Sequence, residues 1–236
     1  MAYQKTEYTR KKTEASKSSL LLAAFRLFLT RGYHKTSMQQ VVTEAGTSIG
    51  NAYFYFNNKD DLLQGVIERI IDARFSIIDR FNERFPVGSK RLAVNLFCTG
   101  LPPMSGGIVA QQAIGAGSDC ELLKSLVMAG VERNIGLISE NLPGLSETEV
   151  AFAANAWAGT GTAILVARVQ GRLTGSASEL TISFVNWQLR AIGLDQQSIA
   201  AGLNAIDELQ KLEAWGIFIA TIPRSMANID ALIMPD

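Results

Sequence analysis

The run from Thr36 to Leu63, TSMQQVVTEAGTSIGNAYFYFNNKDDLL, constrains the fold of this chain more than any other. Ser37 with Gln40 three residues on makes a capping-box pattern, and Met38, Val41, Val42 and Ala45 follow at one-face helical spacing. Gly46 supplies the left-handed stop that a Cβ would strain. Thr47 and Ser48 then offer caps for a second short helix from Ile49 to about Phe54. Asn58 caps a third helix, with Asp60 and Asp61 at its positive end. Two short helices at a tight turn are a helix-turn-helix, whose second helix is built to lie in a DNA major groove.

Within this run Ala45, Gly46, Ser48, Gly50, Tyr53, Phe56, Lys59 and Leu62 stand in register with a known signature. The segment closely resembles the TetR family of bacterial transcriptional regulators, over roughly the first quarter of the chain. Two positions depart: Ile49 replaces a polar or basic residue, and Tyr55 stands where many members have His. The resemblance implies phosphate contacts from Tyr53 and Lys59. It implies base-edge contacts from Gln39, Thr47, Ile49, Gly50, Asn51 and Tyr55, with Ser48 and Phe54 in the same DNA-binding set. Thr36 and Ser37 add a helix N-terminus suited to phosphate.

Charge agrees with this division. Residues 1–60 hold nine Lys/Arg and four Asp/Glu, a net of +5, and the remainder carries −5, so the chain totals zero. A basic end joined to an acidic remainder suits a DNA reader attached to something that does not touch DNA. Residues 1–12 carry Arg10, Lys11 and Lys12 and read either as an arm reaching phosphate or as a solvated tail. With 47% hydrophobic and 19% charged residues, the composition is that of a globular protein with a sizeable core.

Cys98 and Cys120 lack metal-site spacing and read as buried free thiols of a cytoplasmic protein. The N-terminus has no apolar run of signal-peptide kind. Val150–Ala167 is uncharged but rich in Gly, Ala and Thr. It reads as a buried helix, not a membrane span.

The expected fold is all-α. A first helix runs from about Glu14 to Arg31, and the helix capped by Asn58 continues to about Arg84, packing on both sides as a lever between two domains. Ser89 can cap a helix from Lys90 to about Thr99, broken by Leu101–Gly107. A short helix follows from Ile108 to Ala116, and another from Asp119 to Asn141. Ser146 with Glu149 and Ser176 with Glu179 make two further capping boxes. They open helices to Arg172 and Ile192, and a last one runs from Ser198 to Ile222. The division is residues 1–60, the helix-turn-helix domain with its basic arm, and 61–236, a helical regulatory, ligand-binding and dimerisation domain.

No P-loop, zinc spacing or Gly-x-Ser-x-Gly element occurs, and Gly159-Thr-Gly-Thr lacks the third Gly of a dinucleotide loop. The sole histidine, His34, has no catalytic partner nearby. The chain is therefore read as no enzyme, with no cofactor and no metal. The competing reading is an enzyme or small-molecule carrier built on the helical domain, with the DNA reader as accessory.

Bulky apolar and uncharged polar residues mingle between Leu92 and Trp157. Phe97, Met104, Gln111, Gln112, Met128, Asn134, Phe152 and Trp157 are the candidates to line a pocket for a neutral, largely apolar effector. The resemblance implies a cavity there whose occupation moves the helix at Asn58. Small residues on one late helix (Ala156, Ala163) and apolar rows on the next (Leu180, Phe184, Trp187, Ala191) lack a further core to cover them. Resemblance to the family assigns them to a four-helix homodimer bundle. The expectation is a cytoplasmic homodimeric repressor, released from double-stranded operator DNA by a small-molecule effector, with no membrane partner.

Overall fold

The computed structural model describes residues 2–104, 121–213 and 215–216. Among them are nine helices and no strand: α1 (Ala2–Arg31), α2 (Met38–Glu44), α3 (Ile49–Tyr55), α4 (Lys59–Asn82), α5 (Ser89–Met104), α6 (Glu121–Asn141), α7 (Glu147–Val169), α8 (Ala177–Ala191) and α9 (Gln196–Gln210). The fold is all-α, with an N-terminal helix-turn-helix domain.

The three expected capping boxes form, whereas Ser89, expected as a cap, is the first residue of α5, and the expected Asp119 cap lies outside the described residues. Ser37, Ser146 and Ser176 each close a reciprocal capping box, with Gln40, Glu149 and Glu179 respectively. Each satisfies two N–H groups that a bare helix end would leave unpaired. Gly46 has φ +64°, as the stop after α2 requires. Helix ends differ from expectation where longer-range packing decides. No Gly or Pro precedes Gly32, so α1 extends back to Ala2 through the expected arm. Pro102 and Pro103 fall in the last turn of α5, which reaches Met104 instead of stopping at Thr99. Asp195 caps α9, and the helix ends at Gln210, so that Trp215 folds back against Phe81 and Phe97.

Two hydrophobic cores share α4. The first gathers Leu20, Phe25 and Phe28 of α1 with Val41, Val42, Ala52 and Phe56, and with Leu62, Leu63, Val66 and Ile67 of α4. The second gathers Phe75, Ile78 and Phe81 of α4 with Leu92, Phe97, Ile138, Trp157, Val185, Leu189 and Ile206. Ile71 touches both. Leu122 of α6 is buried in the first core, so the larger bundle also rests on the helix-turn-helix.

Helix α7 has a window of mean hydropathy 1.4 and is, by length and composition, long and apolar enough to cross a membrane. Such a helix is weak evidence for a span. Val150, Ala153, Ala154 and Trp157 are buried, but Phe152, Asn155, Gly159 and Ala163 are exposed. The expectation of a buried helix therefore holds for one face only. Gly159 and Gly161 sit inside the helix, not in a loop.

Candidate nucleic-acid interface

Helices α2 and α3 are short, and tertiary contacts hold them. Val41, Val42 and Ala52 are fully buried, which fixes each helix by its inner face. Ser48 accepts a hydrogen bond from the Asn51 N–H at 3.2 Å and caps α3. The outer face of α3 is left to solvent. Phe54 is 76% exposed, Tyr53 52% and Ile49 37%. A Cβ added at Gly50 would meet only open space, so that stretch of backbone is bare. Ser37, Gln39 and Ser48 are exposed on the same unit, and Thr47 and Tyr55 are half-buried.

Three expected contact residues have internal work. Thr36 is buried, and its hydroxyl donates to the Gly32 carbonyl at 2.9 Å. Its side chain does not reach outward; it pins the turn before α2. The Lys59 ammonium donates to the Tyr33 and Thr36 carbonyls at 3.0 and 2.9 Å and lies 4.2 Å from the Tyr33 ring centroid. Two of its three N–H bonds are thus committed. The Asn51 amide nitrogen donates to Ser16 Oγ on α1 and to Thr47 Oγ1, both at 2.8 Å.

A cluster that sequence reasoning missed ties these parts together. The Tyr33 phenol donates to the Asp60 carboxylate, joining the turn after α1 to the first turn of α4. Burial, then the bond to Asp60, pushes the Tyr33 hydroxyl well above its ordinary value. Its position in the sequence marks Asp60 as a helix-end charge alone. Only the fold brings Tyr33, 27 residues away, to meet it.

Of the residues expected to line an effector pocket, Phe97 and Trp157 are buried in the larger core and Asn134 is half-buried. Met128 and Phe152 are exposed, 57% and 76%, and so face solvent instead of an enclosed space in the single chain. Met104 ends α5, and Gln111 and Gln112 lie outside the described residues, as does Cys120. Cys98 is buried in the larger core. Of the expected dimer residues, Trp187, Ala163 and Ala191 are exposed, and Ala156 and Leu180 are half-buried. Phe184 is buried inside the chain: a Cβ at Gly161 would lie 3.4 Å from its ring, and one at Gly100 would lie 3.9 Å from it.

Residues 20–66 match the family described as bacterial regulatory proteins, tetR family. The HTH-type transcriptional regulator HbdR of Aromatoleum sp. is 33% identical over 37% of this chain and 39% of its own length. The HTH-type transcriptional repressor BepR of Brucella suis is 38% identical over 28% of this chain and 31% of its own. The chain thus spans about a third of the length of these curated relatives. The fatty acid degradation regulator FadR from Bacillus halodurans shares the fold, with a TM-score of 0.54 at 19% identity over 75% of this chain and 98% of that one. Helix-turn-helix geometry and the matched residues agree: residues 20–66 carry the DNA-binding domain of the tetR family of bacterial regulatory proteins.

Proposed function

We propose that this protein is a homodimeric, sequence-specific DNA-binding transcription regulator, acting as a repressor that a small, largely apolar molecule releases from operator DNA. The observation that carries the reading is the solvent-facing outer side of α3, held rigidly by a buried inner side and set in a matched helix-turn-helix. Residues 1–60 are the reader and 61–236 the regulatory, ligand-binding and dimerising part, with a cytoplasmic location. Ser37, Tyr53 and the remaining N–H of Lys59 face phosphate, while α3 enters the groove. The exposed Trp187, Ala163 and Ala191 are where a second copy would pack. Phe97, Asn134 and Trp157 stand nearest the effector. Any effector must bind the DNA-incompetent form more tightly, since equal affinity shifts nothing.

The test is a titration of purified protein against DNA from upstream of its own gene, over a range of salt. Sequence-specific binding that falls steeply with salt is expected. Binding indifferent to sequence, or none, overturns the reading.

A further inference from the structure

The outer face of α3 carries a chemistry of its own. Its outward side chains are Ile49, Tyr53 and Phe54, with bare backbone at Gly50, and none of them is charged or an amide. Phe54, with Phe152, is the most exposed large apolar side chain among the described residues, and it is braced edge-to-face by Tyr55 at 5.0 Å. The one amide on the helix is Asn51, and it is already spent. Its Nδ2 reaches Ser16 Oγ and Thr47 Oγ1, each at 2.8 Å, so it spans from α3 to α1. A bidentate bridge to adenine needs both ends of an amide, one donating and one accepting. Whichever way the group is turned, one end is committed to the two hydroxyls.

What such a surface can read in a major groove is narrow. Each base pair presents donors and acceptors there, but only thymine presents a methyl group. We propose that α3 reads its operator through thymine 5-methyl groups packed against Ile49 and Phe54, and that Asn51 is a positioning residue holding α3 on α1. This rests on the DNA-binding reading above and adds to it the chemical determinant of specificity. Gly50 lets the backbone come close enough for the flanking side chains to touch a methyl. Gln39 on α2, exposed and polar, is the competing source of base reading on the same unit.

The experiment uses the full chain and duplexes that it selects from a randomised library. In the best duplex each thymine is replaced singly by uracil, which removes the methyl and nothing else. One or two positions in each half-site should lose affinity by about fourfold, the value of one methyl group taken out of water. Ile49→Ala should erase that penalty at one of them. Asn51→Ala and Ser16→Ala should resemble one another. Both remove the bond that ties α3 to α1, and Asn51→Ala also the one to Thr47, so each should weaken binding to all library members alike and leave the base preference unchanged, with melting temperature followed as the control for folding. The proposal is overturned if uracil is tolerated everywhere. It is also overturned if Asn51→Ala loses a preference for adenine that Ser16→Ala keeps. Should no sequence be enriched at all, the DNA-binding reading itself fails, and the inference falls with it.

Discussion

The Tyr33 hydroxyl donates to the Asp60 carboxylate, so the turn that follows α1 is fastened to the first turn of α4. Lys59, the next residue back, closes the same turn through the carbonyls of Tyr33 and Thr36. The start of α4 is therefore held from both sides of its first turn.

Tyr33→Phe keeps the ring and removes the bond. Loss of this part-buried hydrogen bond, whose acceptor is exposed, should lower the unfolding free energy by about 0.5–1.5 kcal/mol. The folded-state pKa of Tyr33 is raised. Its stabilising share is thus complete below the ordinary tyrosine value and is lost as pH rises above it. Urea denaturation from neutral to alkaline pH should show a steeper decline for the native chain than for Tyr33→Phe. Parallel profiles would remove the bond from the account.

Lys59→Ala should act on both stability and binding. Losing the ammonium frees two carbonyls from their donor, so the melting temperature should fall. DNA affinity should drop for all sequences alike, with the salt slope reduced by about one unit. An unchanged slope with altered base preference would contradict a phosphate role.

Dimerisation is tested at Trp187, which is half exposed, and not at Phe184, whose ring is inside the chain. If the proposed dimer packs there, Trp187→Arg should give a monomer in sedimentation where the native chain is a dimer, and should abolish binding to a full operator. Phe184→Arg should instead unfold the chain by burying a charge without a partner. A Trp187→Arg protein that remains dimeric would move the interface elsewhere.

Three exposed carboxylates give the acid side of the profile. The Ser146 hydroxyl and backbone N–H hold Glu149 below its usual range, and the Ser176 backbone and side chain do the same for Glu179. The Ser198 backbone N–H lowers Asp195. Depressed values mean support that is present above the ordinary carboxylate range and is lost as pH falls through the folded-state values. Replacing all three by Ala should flatten the decline in melting temperature on acidification and leave the alkaline limb unchanged. An acid limb as steep as before would deny them this part.

Features decided within one helical turn were legible from the residues alone. The Ser–Gln and Ser–Glu capping boxes, the Gly46 stop and the two-sided packing of α4 all depend on spacings of three or four. The pairing of Ser16 with Asn51 spans 35 residues and that of Tyr33 with Asp60 spans 27, and nothing local marks either partner. Helix lengths failed for a related reason. Where α9 ends depends on Trp215 finding Phe81 and Phe97, which lie more than a hundred positions earlier. Phe184 and Trp187 look alike in an apolar row, and only the close approach of Gly100 and Gly161 turns the first inward.

Ile71, touching both cores, makes α4 common property. Neither core can melt without stripping the other of part of its lining, because Leu62 to Ile67 and Phe75 to Phe81 belong to one continuous rod. The two halves should therefore unfold in a single cooperative calorimetric transition. A fragment cut at residue 60 would lose five buried residues of its own interior, Leu62, Leu63, Val66, Ile67 and Leu122, and should not fold alone.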